Sequence, residues 1–181
     1  MSDDLETAWA EARRSLAWAD YKALLNAGVP KTFLARAMAE KCLGVDDIAV
    51  KNGLWMRRFR GERAIVIPEM SQATGQLTNL VAFHSETPRS FWRMLDGGAP
   101  FLGPDAIERA EHFNEPLMVH ETPIEWLRAE CEGVVILDWN HYWPLYLGGV
   151  KQVRTASIEF GRRLRDTLMR PLPIPEIQVA A

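Results

Sequence analysis

Pro116-Leu117-Met118-Val119-His120-Glu121-Thr122-Pro123 is the stretch on which the fold turns. A short apolar run ends in an acid and, one residue on, a proline. That is the pattern of a buried strand delivering a carboxylate into the loop before a helix. In open parallel sheets, ligands and metals are held at the carboxyl ends of the strands. Downstream, Gly133-Val134-Val135-Ile136-Leu137-Asp138-Trp139 repeats the arrangement and brings Asp138 to the same edge. Val150-Lys151-Gln152-Val153-Arg154-Thr155-Ala156-Ser157 forms a third such run and brings no acid.

Around these runs the order from Pro104 is strictly alternating. Helices are predicted at roughly 104–113, 122–131, 140–148 and 158–169, and strands at roughly 116–120, 133–138, 150–155 and 174–179. Alternation of this kind predicts an α/β unit: a parallel sheet flanked by helices, joined by right-handed crossovers, with Val119, Val135, Ile136 and Val153 at its centre. Pro171, Pro173 and Pro175 stiffen the lead into the last strand and point to an edge position.

Upstream the period changes. Leu54-Trp55-Met56-Arg57-Arg58-Phe59-Arg60 and Arg63-Ala64-Ile65-Val66-Ile67-Pro68 are short runs separated by Gly61-Glu62, and Leu77–Phe83 follows a turn built on Ala73-Thr74-Gly75. These are antiparallel strand signals, with Pro68 ending its strand or lying on an edge. Residues 84–103 read as irregular and mark an internal boundary. In the first third, Leu5, Trp9, Leu16, Tyr21, Leu24 and Leu25 fall near helical spacing up to Gly28. Pro30 then opens a second helix through Phe33, Leu34, Ala37, Met38 and Cys42, ended by Gly44. The chain thus divides into an N-terminal helical hairpin (1–48), an antiparallel basic β region (49–103) and an α/β unit (104–181).

Composition bounds the function. With 181 residues the chain holds one full domain, or one with an appendage. No segment reaches the apolar length of a membrane span, and the acidic opening Met1-Ser2-Asp3-Asp4-Leu5-Glu6 lacks the basic start of a secretory signal. Cys42 and Cys131 lie far apart with no metal spacing, so reduced thiols and a cytoplasmic location are expected. A net charge of −3 excludes a globally basic nucleic-acid binder but not a local basic patch. Most of the seven tryptophans are expected to fill the core, with Trp9, Trp18, Trp139 and Trp143 also candidate stacking surfaces. There is no Gly-rich phosphate loop, nucleophile elbow or CxxC pair.

The ordered series resembles a Toprim domain, the metal-binding module of bacterial DNA primases, topoisomerases and related nucleases. The first strand of that family ends in an acid, as in Val119-His120-Glu121, and its third strand ends in an Asp-x-Asp motif before a Gly that opens the next helix. Here the matching segment is Val153-Arg154-Thr155-Ala156-Ser157-Ile158-Glu159-Phe160-Gly161-Arg162-Arg163. The basic runs with Thr74-Gly75-Gln76 and Leu80-Val81-Ala82-Phe83 are similar to the strand hairpin that precedes the module in primases. Together the resemblance covers most of residues 50–179. Thr155 and Ser157 align with the two acids, and neither is a hard anionic ligand for magnesium. The resemblance therefore implies a catalytically degenerate, primase-like protein that binds single-stranded DNA or another nucleic acid beside replication proteins, in a phage or other mobile element.

Two further classes remain open. One is a residual metal-dependent nuclease or phosphotransferase using Glu121 and Asp138 with Mg2+ or Mn2+; no cofactor is expected otherwise. The other is a protein-interaction module on the decayed fold. Glu121 reads either as a metal ligand or as a helix N-terminal acid, and Asp138 has the same two readings. His120, Glu121, Asp138 and His141 are a candidate mixed metal site. Arg57, Arg58, Arg60 and Arg63, with Lys51 nearby, are candidate phosphate contacts that divide between the two faces of the strands, or else a solvated strand surface. Arg162, Arg163, Arg165 and Arg170 read as the exposed face of a terminal helix.

Overall fold

The structure, a computed structural model, describes residues 2–71, 74–87, 89–141 and 143–169. It is mixed α/β, built on a closed five-stranded barrel and a four-stranded sheet. The predicted strand at 174–179, its prolines and Arg170 lie outside the described residues.

Three helices precede the barrel rather than two: α1 (Ser2–Arg14), α2 (Trp18–Asn26) and α3 (Lys31–Ala39). Five strands follow: β1 (Gly44–Lys51), β2 (Leu54–Arg57), β3 (Glu62–Met70), β4 (Leu77–Phe83) and β5 (Phe91–Arg93). They close in the order β1-β2-β5-β4-β3. The basic segment is not the hairpin that its two runs suggest. β1 lies between β2 and β3 and pairs antiparallel with both, Ile48 standing opposite Arg57 on one side and Glu62 on the other. β1 escapes the apolar pattern because Asp46-Asp47 interrupts it. Residues 84–103 are likewise more ordered than their composition suggests, since β5 closes the barrel against β4 and β2. Pro68 lies inside β3 but beyond Val66, the last residue paired with β1, so its missing N–H disturbs no ladder there.

Alternation along the strands builds two apolar faces. Ile48, Trp55, Ala64, Val66, Leu80 and Ala82 pack with Leu5, Ala8, Trp9 and Ala12 of α1. Those four recur at helical spacing and form one stripe. On the opposite face Val45, Ile65, Ile67, Val81 and Phe83 join Leu24, Phe33 and Leu34 of the helices and the second sheet. Arg57 and Arg63 also fall on opposite faces. Arg57 reaches Asp46 at 2.5 Å and Glu11 of α1. Arg63 grips both oxygens of Asp20 at 2.7 Å and the Ser15 carbonyl at 2.8 Å. One arginine thus ties α1 to the barrel, and the other ties α2.

The second sheet has the order β6-β8-β7-β9. Its strands are β6 (Phe101–Leu102), β7 (Leu117–His120), β8 (Val134–Ile136) and β9 (Val153–Thr155), interleaved with α4 (Asp105–Phe113), α5 (Pro123–Arg128), α6 (Pro144–Leu147) and α7 (Ile158–Leu168). β7 runs parallel to β8 and β9, and β6 is antiparallel to β8. Val119, Val135 and Ile136 are buried as expected, whereas Val153, on β9 at the end of the sheet among the described residues, is half-buried. Thr122 caps α5 by accepting Glu125 N–H at 3.3 Å, and Pro123 fills its first turn.

A buried polar network joins the two sheets. Glu69, Asn79 and Arg93 share the barrel face of Ile67 and Val81, and all three turn toward the connection 94–100. Asn79 donates to the carbonyls of Leu95 and Gly97 and accepts the N–H groups of Leu80 and Leu95. Glu69 accepts Ala99 N–H at 2.5 Å, and Arg93 donates to the carbonyls of Gly97 and Ala99. Arg93 Nε stands 3.5 Å from Glu69 Oε2, in ionic contact but out of hydrogen-bond alignment, so both atoms lack a hydrogen bond among the described residues. A Cβ at Gly98, where φ is +98°, would collide with Glu69 Oε1.

Two outcomes are expected. Asn79→Ala leaves buried backbone groups unpaired and should cost about 2–3 kcal/mol in denaturant unfolding. Burial opposes ionisation of Asp20, but the bonds from Arg63 and Ala17 N–H outweigh it and hold the carboxyl below its ordinary value of 3.8. A lowered folded value means stability that is present in full above pH 3.8 and lost as pH falls through the folded value. The stability gap between native protein and Asp20→Asn, followed by urea melts, should therefore close as pH drops through that window.

Candidate functional site

Glu121 leaves the carboxyl end of β7 and does not cap α5; Thr122 and Glu125 do that work, Glu125 Oε2 also accepting Glu121 N–H at 2.9 Å. The Glu121 carboxylate, about one-fifth exposed, faces two arginines instead: Arg163 Nη1 stands 3.2 Å from Oε1 and Arg89 Nη2 stands 3.8 Å from Oε2. Arg163 is held from behind, its guanidinium 4.7 Å from the Trp139 ring centre and 5.1 Å from that of Phe160. Arg162, Arg163 and Arg165 all lie on the exposed helix face expected for them, and Arg163, about half exposed, reaches Glu121 from it. Arg89, Phe91, Glu121, Trp139, Arg163 and Thr167 line a pocket of about 460 Å3.

The remaining strand-end residues are committed locally. Asp138 Oδ1 accepts Asn140 N–H at 2.8 Å and Oδ2 lies 3.4 Å from His141 Nε2, which closes the loop after β8. This loop occupies residues expected to be helical, so α6 is short. His120 is buried, with Nε2 2.8 Å from the Glu132 carbonyl. The structure does not gather His120, Glu121, Asp138 and His141 into one metal site, and among the described residues no group of three or more His, Cys, Asp or Glu is placed to hold an ion. Thr155 Oγ1 donates to the Ser157 carbonyl at 3.0 Å, and Ser157 Oγ caps α7 by accepting Phe160 N–H at 3.1 Å. Gly161 has a reason of its own, since a Cβ there would lie 2.8 Å from Thr155 Oγ1.

The basic segment separates into two roles. Arg57 and Arg63 are consumed by the ion pairs that hold α1 and α2. Arg58 and Arg60 are exposed and have no acidic partner among the described residues. They stand on the connection from β2 to β3, which must cross β1 at Ile48 because that residue pairs with both strands. The crossing is an arch of only four residues. Arg58 N–H bonds the Asp47 carbonyl at 2.8 Å, Gly61 N–H bonds the Arg58 carbonyl at 2.8 Å, and Arg60 adopts φ +58°. A Cβ at Gly61 would strike the Ile48 carbonyl, so glycine alone lets the arch lie this close. Its crown, Phe59, is 88% exposed. A groove of about 550 Å3 beside the arch is lined by Arg58, Arg60, Glu62 and Trp92, and Phe59 lines a separate one with Asp46, Asp47 and Arg63. Lys51 is exposed at the end of β1, beside the Asn52-Gly53 turn.

A larger cleft, about 580 Å3, opens near Glu69, Asp105, Arg109, Trp126 and Cys131. Burial pushes the Glu69 carboxyl above its ordinary value despite Ala99 N–H and Arg93, and its oxygens are taken up by the connection and by Arg93. Burial, with Cys42 adding to it, pushes the Cys131 thiol up to about 12, far from nucleophilic range. The cleft carries less chemistry than the smaller strand-end pocket. Comparison with protein-family models, with curated proteins and with solved structures finds no match.

The sequence reading missed Glu69, Asn79, Arg89 and the support of Arg163 by Trp139. Continuing the alternation Ile65, Ile67 through Pro68 reaches Glu69, and Val81 read backwards reaches Asn79, so the signal for a buried polar pair was present. Nothing in sequence spacing brings Arg89 to Glu121. Each Glu121 oxygen already faces a guanidinium, so titration calorimetry of the native protein with magnesium or manganese is expected to show weak binding or none. Tight binding would mean that a metal displaces both arginines.

Proposed function

We propose that this chain binds single-stranded nucleic acid through the arch at residues 58–60, on a Toprim-like unit without robust metal catalysis, in a cytoplasmic, primase-like setting of phage or mobile-element replication. The observation that carries the reading is Phe59, held out in solvent between two arginines that no acid among the described residues neutralises. Guanidinium groups suit phosphate oxygens, and an exposed ring accepts a base of any identity by stacking. Trp92, half-buried in the neighbouring groove that Arg58 and Arg60 also line, adds a second aromatic surface. Of the acids near the arch, Asp46 and Asp47 are paired with Arg57 and Arg63, and Glu62 is exposed with His84 Nε2 at 3.3 Å.

The Toprim-like part rests on the order of elements, on parallel pairing of β7 with β8 and β9, on Glu121 at the end of β7, and on Gly161 in the first turn of α7. Loss of catalysis is supported by the use made of the aligned residues, with Thr155 and Ser157 bonded within their own turn and Glu121 facing arginines.

Fluorescence anisotropy with a labelled single-stranded oligonucleotide at several salt concentrations tests the reading. Affinity should fall steeply with salt through counterion release. Arg58→Ala with Arg60→Ala should weaken binding across sequences and flatten the log–log salt slope by about one unit per lost contact. Phe59→Ala should cost about 1–3 kcal/mol of binding with stability unchanged, because its ring is in water. Absence of binding at low salt removes nucleic-acid recognition; a stable protein complex formed through the arch would then favour an interaction module.

A further inference from the structure

We propose that the pocket at the carboxyl ends of β7 and β8 is a metal-free site for a terminal phosphate attached to a nucleoside, with Arg163 and Arg89 as the phosphate ligands and Glu121 as their resident placeholder. The site is separate from the arch and does not depend on it.

Charge comes first. Two guanidinium groups face one carboxylate, so the pocket carries one positive charge in excess when empty. A phosphate monoester carries close to two negative charges at neutral pH, which matches the two guanidiniums once Glu121 turns away from them, and an internal diester carries one. Geometry agrees. Neither contact to Glu121 is a tight bidentate fork, which at full strength closes to about 2.7–2.9 Å. The 3.2 Å and 3.8 Å separations leave the outer guanidinium faces available to a better-matched anion.

Preorganisation separates the two arginines. Arg163 is stacked on Trp139 and Phe160, so its side chain is already ordered and loses little freedom on binding. Arg89 is 79% exposed at the mouth and is free to close onto a ligand. Size and lining point to the rest of the molecule. The volume of about 460 Å3 lies in the range of small-ligand pockets, and Phe91 and Trp139 supply aromatic walls for a base. A nucleoside bearing a terminal phosphate fills such a space, either as a free mononucleotide or as the phosphorylated end of a strand.

The role of Glu121 fixes the sign of the test. A metal ligand or an acid catalyst is weakened by Glu121→Gln, but a placeholder is a competitor, and its neutralisation frees both guanidiniums. Titration calorimetry uses the whole chain with five probes: inorganic phosphate, deoxyadenosine 5′-monophosphate, deoxyadenosine, and one short oligonucleotide with a 5′-phosphate or a 5′-hydroxyl. The mononucleotide is expected to bind more tightly than phosphate, and deoxyadenosine not to saturate. Glu121→Gln should tighten mononucleotide binding several-fold. Arg163→Ala should weaken it about tenfold or more. Arg89→Ala, on an exposed side chain whose loss leaves folding intact, should weaken it as well. Arg58→Ala with Arg60→Ala should leave mononucleotide affinity unchanged, which keeps the outcome separate from that of the arch. Preference for the 5′-phosphorylated oligonucleotide over the mononucleotide assigns the site to strand ends, and the reverse assigns it to free nucleotides. The proposal is overturned if no phosphate-bearing probe saturates either the native protein or Glu121→Gln, or if Glu121→Gln weakens binding.

Discussion

The connection between the two sheets depends on three buried polar side chains that belong to the barrel. Glu69, Asn79 and Arg93 sit on β3, β4 and β5, where an apolar face would have been simpler to bury. They spend their hydrogen bonds on the backbone of residues 95–99. A segment with two consecutive glycines has little side-chain surface with which to anchor itself, and its buried backbone groups must find partners. The network supplies them. The consequence reaches further along the chain: the Pro100 carbonyl accepts Leu137 and Asp138 N–H, and Phe101–Leu102 pairs with β8. The strand end that carries Trp139 is therefore tied to the barrel through this segment as well as through the shared apolar core.

Charge is used economically across the molecule. Most of the ionised groups that look functional in a list of residues have a partner in space. Arg57 and Arg63 hold helices, Asp138 closes a loop with His141, and Glu121 meets two arginines. What is left over is more informative than what is present. Arg58 and Arg60 flank an exposed ring on a strand crossing that can only pass above β1, and the strand-end pocket keeps an excess positive charge. Both features result from pairing geometry, in which an arginine is either neutralised by a nearby acid or presented to the outside.

The same logic explains how far the residues could be read in order. The α/β character of the C-terminal part was legible, because Val119, Val135 and Ile136 stand in short apolar runs bounded by helix starters such as Thr122-Pro123. The capping role of Ser157 was not assigned, since a serine before a helix and a serine in place of a lost acid look alike. The barrel was legible only in pieces. β1 was overlooked because a strand whose acids are neutralised by Arg57 and Arg63 has no apolar signature. β5 was overlooked because three residues in a glycine- and proline-rich stretch carry no period.

By itself the sequence determined the alternation of helices and strands after Pro104, the buried runs that form the second sheet, and the presence of a carboxylate at the end of β7. These are local consequences of period and capping, which act within a few residues. Only the tertiary structure decided that the barrel closes, that β1 separates the two basic strands, and that Arg57 and Arg63 meet acids while Arg58 and Arg60 meet none among the described residues. It alone placed Arg89 and Arg163 on Glu121. Those outcomes depend on which charges meet across tens of residues, and pair energies between charges are set by distance and burial, neither of which is written in the order of the residues.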